Sequence, residues 1–137
     1  MSMLVKENAD IVNASYGRCL TNGNMFETFY RELLEKNPPI KKYFEHTDFE
    51  SQYKLLRHGL NLILMHAQGN AVGTSGLERI SDSHSRKKMN IPSHLYIFWK
   101  NAMLNTVSKH DPAITPGLKE AWAGVLTEGI EAIKSAY

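Results

Sequence analysis

The 137-residue chain predicts a single all-α domain over residues 1–137, on three observations. Apolar residues recur at helical spacing in one segment after another. No stretch alternates as a half-buried strand would, and short runs of Asn, Gly and Pro separate the segments. Six or seven helices of unequal length follow, which fits a helical globule better than an up-down bundle.

The first helix is expected from Ala9 to Leu20, stopped by Thr21-Asn22-Gly23. A second opens near Asn24, where Asn24 and Glu27 have capping-box spacing. Its apolar face is Phe26, Phe29, Tyr30, Leu33 and Leu34, and Pro38-Pro39 ends it, since proline lacks the amide donor. A short turn covers Ile40 to Phe44. Thr47 and Glu50 make the next capping-box pair and open a helix to about Ala67, with Phe49, Tyr53, Leu56, Leu60 and Ile63 along one side. Gly69-Asn70 and Gly73 break that helix. Ser75 and Glu78 then cap a short one carrying Leu77, Ile80 and His84. Pro92 stands near the start of a helix to about Lys109, with Leu95, Phe98, Trp99, Ala102, Met103 and Thr106 turned inward. Thr115-Pro116, an N-cap followed by proline at the first helical position, begins the last helix through Leu118, Trp122, Val125, Leu126, Ile130 and Ile133.

Composition bounds the function classes. Apolar residues make up 42% and charged residues 22%, ordinary for a folded domain rather than a disordered one. The net charge of +2 is scattered, and its one compact basic run, Arg86-Lys87-Lys88, is too short for a nucleic-acid footprint. Cys19 is the single cysteine, so neither an intrachain disulfide nor a cysteine metal cluster can form. The N-terminal residues meet the charge pair Lys6-Glu7 before any long apolar run, unlike a signal peptide. No apolar stretch is long enough to cross a bilayer. A cytoplasmic protein without a membrane partner is expected.

Chemistry-bearing residues are few. Six histidines, His46, His58, His66, His84, His94 and His110, include no zinc-binding His-Glu-x-x-His pair, and no glycine-rich phosphate loop is present. Ser83 and Ser85 lack the glycines of a nucleophile elbow. A histidine on a helical face is more often packed or solvated than a ligand. His84 stands out only by its company.

That company is Phe29-Tyr30-Arg31-Glu32-Leu33-Leu34 with Asn37-Pro38, then Lys42-Tyr43-Phe44, then Gln52 to Leu56. After these come His84, Ile91-Pro92-Ser93-His94, and Thr115-Pro116 to Ala121-Trp122. Phe44 falls 14 residues after Tyr30, and His84 falls 32 after Gln52. In this order and spacing the chain, from about residue 6 to 134, resembles the globins, specifically bacterial single-domain haemoglobins and the haem domain of flavohaemoglobins. The resemblance implies a globin fold of six to seven helices around a haem pocket. The cofactor would be haem b (iron protoporphyrin IX), since one cysteine cannot supply the pair used in typical covalent attachment.

The resemblance assigns roles to matching positions. His84 would be the proximal ligand to the iron, a neutral imidazole whose other N–H bonds a nearby acceptor. Tyr30 and Gln52 would be the distal polar residues, each able to donate a hydrogen bond to a bound diatomic ligand. Phe44 would wedge against the porphyrin, with Leu56 closing the pocket and Phe49, Ile80 and Met89 completing the cofactor contacts. The segment from Phe44 to Gln52 is about two residues shorter than the family's, which leaves Tyr53 and Leu55 as alternatives at the distal position. The run from Ser85 to Ile91 has one extra residue and lacks the usual Tyr-Gly-Val. Leu95 falls where flavohaemoglobins often carry a tyrosine, and Tyr96 is its neighbour.

Three functions fit. The first is reversible O₂ binding for storage, delivery or scavenging. The second is a nitric oxide dioxygenase, which would draw on a separate reductase because no flavin or nicotinamide domain is expected. The third is a sensor of gas or redox state acting through a partner protein. O₂, NO and CO are the expected ligands, nucleic acid is not, and the assembly is expected to be a monomer or homodimer.

Overall fold

The structure, a computed structural model, describes residues 3–84 and 95–134, with side chains from 7 to 80 and from 95 to 133. Among these residues there are six α-helices and one 3-10 helix: α1 (Met3–Thr21), α2 (Met25–Lys36), the 3-10 helix Pro38–Phe44, α3 (Phe49–Ala67), α4 (Ala71–His84), α5 (Tyr96–His110) and α6 (Pro116–Lys134). No strand occurs among them, as the periodicity predicts.

Helix α1 begins at Met3 rather than Ala9, since no Pro or Gly interrupts the spiral before Ala9. Its buried side, Ala9, Val12, Tyr16 and Cys19, recurs at three- and four-residue spacing and packs chiefly on α6. Gly23, at φ 96°, turns the chain into α2 in a conformation that glycine alone adopts readily. Asn24 caps α2 as expected, accepting from the Glu27 amide at 3.2 Å. The reciprocal half of the box is absent, because the Glu27 carboxylate pairs with Arg31 one turn on, at 3.0 Å.

Two boundaries differ from expectation. Asp48, not Thr47, caps α3: its carboxylate accepts from the Glu50 amide at 3.1 Å and the Ser51 hydroxyl at 2.9 Å. A carboxylate there also complements the positive end of the helix dipole. Helix α3 ends in a Schellman turn at Gly69 (φ 81°), where the Gly69 amide donates to His66 and the Asn70 amide to Met65. Helix α4 then starts at Ala71, well before Ser75, with Asn70 accepting from the Val72 amide at 2.8 Å. Gly73 therefore lies inside α4 and breaks nothing. A Cβ there would stand 2.6 Å from the His66 backbone nitrogen, and one at Gly76 would stand 2.5 Å from Leu62. Both glycines are present because α4 lies directly on α3.

The remaining ends follow local chemistry. Pro92, expected near the start of α5, lies outside the described residues. Thr115 caps α6, accepting from the Leu118 amide at 3.1 Å, with Pro116 as the first helical residue. Helix α6 runs against α1, α3, α4 and α5, and buries Trp122, Val125 and Leu126 at the centre of the core. No helix among the described residues is long and apolar enough to cross a membrane.

Candidate functional site: a divided apolar cleft

Two hollows open between the helices, of about 310 and 420 Å³. The first is walled by Leu56, Gly59 and Ile63 of α3, Ile80 of α4, and Ile130 and Ile133 of α6, with Leu55 and His58 also contributing. The second is walled by Leu33 of α2, Ile40, Tyr43 and Phe44 of the 3-10 helix, Thr47, and Leu95. Tyr30, Gln52, Tyr96 and Trp99 line both. The two hollows are thus parts of one cleft reaching from the Phe44 corner to Ile130 and Ile133 of α6.

Helical register explains the lining. Gln52, Leu56, Gly59 and Ile63 recur at i, i+4, i+7 and i+11 on α3, one continuous face. Gly59 leaves that face without a side chain, and a Cβ there would meet nothing within 4 Å. The walls are mostly apolar, the preference of a ligand pocket, with a few polar groups to orient its occupant.

Tyr30 and Gln52 supply the central polar contact. Tyr30 is buried, and its Oη accepts a hydrogen bond from Gln52 Nε2 at 3.0 Å. Burial pushes the phenol up to about 12, partly offset by the bond Gln52 donates. Tyr30 therefore stays a neutral hydroxyl at physiological pH. Since its oxygen accepts from Gln52, its own proton is left to donate elsewhere, and the hollows adjoin it.

Four rings enclose that phenol. Phe29, Phe44 and Phe49 meet Tyr30 edge-on, with centroids at 4.9, 5.7 and 5.6 Å, and Tyr53 lies tilted at 5.9 Å. Phe44 stands at the wall of the second hollow. Phe49, expected against the cofactor, lines neither hollow and packs on Tyr30 and Phe44 instead. Of the alternatives to Gln52, Tyr53 lines neither hollow, and Leu55 is 62% exposed at the edge of the first.

Leu56 and Ile80 fall on the wall of the first hollow. His84 is the last residue of α4, one helical turn beyond Ile80; its side chain and all of Met89 lie outside the described residues. Of the other histidines, His66 Nδ1 bonds Thr74 at 2.9 Å, and His110 donates through Nδ1 to the Asn22 carbonyl at 2.6 Å. Both are occupied in holding helix ends. His58 is exposed although it reaches the first hollow, His46 is exposed, and His94 lies outside the described residues. Cys19 is fully buried in α1, its thiol pushed up to about 12 by burial, and it lines neither hollow. No cluster of three His, Cys, Asp or Glu able to hold a metal ion occurs among the described residues.

The sequence reading missed Tyr96 and Trp99 as shared walls of the cleft and Ile130 and Ile133 as its floor. Their signal was ordinary inward periodicity, which does not separate a side chain facing a cleft from one facing the core. The residues present suit a flat apolar cofactor. Aliphatic and aromatic walls lie on α3, α4, α5 and α6, and the polar pair Tyr30 and Gln52 sits between the two parts of the cleft.

Comparison with known proteins agrees with this geometry. A search of curated proteins finds no match. Among solved structures the chain is similar to a protein of Pseudomonas aeruginosa PAO1 described as structurally highly homologous to a human haemoglobin. The two share 38% identity over 95% of this chain and 98% of the other, with a TM-score of 0.90. The family model for Globin matches residues 27–133, the stretch that builds the cleft. The chain belongs to the globin family, which implies a haem cofactor.

Proposed function

We propose that this globin binds O₂ reversibly, for storage, delivery or scavenging, on a haem b anchored by His84 and faced by Tyr30 and Gln52. The observation that carries this reading is the direction of the hydrogen bond at Tyr30. Gln52 Nε2 donates to the phenol oxygen, which leaves one buried O–H donor at the cleft wall.

Ferrous haem, when bound, would supply a binding site for one diatomic molecule, O₂, NO or CO. His84 would hold the iron through a neutral imidazole nitrogen; its place one turn past Ile80, on the same run of α4, supports that role. Phe44, Leu56 and Ile80 would pack on the ring and exclude water, with Met89 assigned to the proximal side. Tyr30 would donate its phenol proton to the negative end of the diatomic ligand. Gln52 polarises that phenol by donating to its oxygen, which strengthens the outgoing bond. A hydrogen bond to a charged acceptor contributes about 1.5–3 kcal/mol, or about 10- to 150-fold in the rate of ligand release. The protein is read as cytoplasmic, monomeric or homodimeric, with any redox turnover drawing on a separate reductase.

Two variants test the two faces. His84→Ala is expected to abolish or severely weaken haem retention, measured as Soret absorbance per protein after desalting. A normal five-coordinate ferrous spectrum in that variant would overturn the ligand assignment. Tyr30→Phe is expected to raise the O₂ dissociation rate about tenfold or more. An unchanged rate would remove Tyr30 as the donor.

A further inference from the structure

Phe49 and Tyr53 line neither hollow, and both pack against Tyr30. They stand one turn apart on α3, at i and i+4, with Gln52 between them at i+3. The first two turns of α3 thus grip one phenol by three side chains. Phe49 meets its ring at 69°, Tyr53 lies at 34° to it, and Gln52 holds its oxygen at 3.0 Å. Phe44 stacks behind Phe49 at 6.5 Å and 20°, and Asp48 fixes the start of the helix through its two capping bonds.

One hydrogen bond to Tyr30 Oη restrains the oxygen's distance but not the swing of the ring about its side-chain torsions. The χ2 torsion of a tyrosine is intrinsically broad, so only neighbouring surfaces narrow it. Edge-on aromatic contacts do this because the quadrupole favours particular ring angles. We propose that Phe49 and Tyr53 are positioning residues for the Tyr30 hydroxyl, setting the rate of ligand release from outside the cleft. This rests on the reading of Tyr30 as the donor. A donor held in place by rigid neighbours forms its bond without first being ordered, and release slows accordingly.

The test uses the full chain loaded with haem, with Phe49→Leu, Tyr53→Leu and Phe49→Tyr, each also made in a Tyr30→Phe background. The readouts are haem content, the O₂ dissociation rate and the C–O stretching band of the ferrous CO complex, which responds to a nearby donor. Each leucine variant is expected to keep its haem and to speed O₂ release about 2- to 10-fold. Each should also move the C–O band in the direction Tyr30→Phe moves it. Phe49→Tyr, which keeps the ring, should stay close to the parent. In the Tyr30→Phe background the leucine variants should add nothing. Parental rates and bands in both leucine variants, beside a responsive Tyr30→Phe, would overturn the positioning role while leaving Tyr30 as the donor. A leucine effect undiminished by Tyr30→Phe would overturn it equally. A silent Tyr30→Phe would remove the O₂ reading itself. Should Phe49→Leu fail to fold, Tyr53→Leu decides the matter alone.

Discussion

Asp111 and Tyr30 both carry polar atoms into apolar surroundings, and their neighbours treat those atoms in opposite ways. At the turn between α5 and α6, Asp111 is buried and fully occupied. Ser15 donates to it at 2.5 Å, Arg18 at 2.7 and 3.0 Å, and the Ala113 amide at 2.8 Å. Ser15 in turn accepts from the Trp122 indole at 2.8 Å. The network joins α1 to the turn after α5 and, through Trp122, to α6. At Tyr30 one bond is accepted and one proton is left, beside a hollow. A closed network of this kind stabilises a fold, because breaking it strands buried groups. An open donor contributes little to the fold and is available to a ligand.

The largest effect on stability is expected at the closed network. Asp111→Ala strands the Ser15 hydroxyl and the Ala113 amide, while Arg18, 37% exposed, can still turn to water. The expected loss is about 3 kcal/mol, read from denaturant unfolding. A loss under about 1 kcal/mol would erase the contrast between the two regions.

The acid response is expected to locate the same network. Hydrogen bonding from Arg18 holds the Asp111 carboxyl down to about 2, with Ser15 and the Ala113 amide adding to it against the cost of burial. Its value in the unfolded chain is about 3.9. Because the folded value is the lower one, the stabilisation is complete above about pH 4 and is lost as pH falls through about 2. Glu32 shifts in the same direction, held low by Lys109 and then Lys36. Those lysines are more than half exposed, so that contribution is the smaller one. Asp111→Asn should flatten the fall in stability between about pH 4 and pH 2. An unchanged acid profile would place the acid sensitivity elsewhere.

The same contrast explains what was readable in the sequence. Helix starts fixed by adjacent residues were legible, as at Asn24 and at Thr115-Pro116, because the capping chemistry is local. Gly73 misled because its local signal, a helix penalty of about 1 kcal/mol against alanine, points to a break. Its reason for being there, the 2.6 Å approach of α3, is tertiary. At Thr47-Asp48 two good caps compete side by side, and only the folded geometry chooses between them. The resemblance assigned Tyr30 and Gln52 to one pocket, and the structure adds the bond between them. The packing of Phe49 on Tyr30 and Phe44 is tertiary, and an aromatic residue in that stretch carries no mark of it. Trp99 and Ile130 read as core for a related reason: a cleft wall and a core share one apolar periodicity.

The smallest stability effect is expected at the residue with the largest consequence for ligand release. Tyr30→Phe keeps the ring, and with it the contacts to Phe29, Phe44, Phe49 and Tyr53. What it removes is an acceptor for Gln52, whose amide is partly exposed and can turn to water instead. The unfolding free energy of the haem-loaded ferric protein should therefore change by less than about 1 kcal/mol, in either direction. Dissociation of O₂ should change about tenfold or more in the same variant. A stability loss near that of Asp111→Ala would mean that the Tyr30–Gln52 bond ties α2 to α3 as part of the scaffold. Tyr30 would then belong with Asp111, and its spare proton would be a by-product of packing. A near-silent unfolding curve beside fast O₂ release would separate the two regions, because a group that leaves the fold unchanged and the ligand rate altered acts on the ligand.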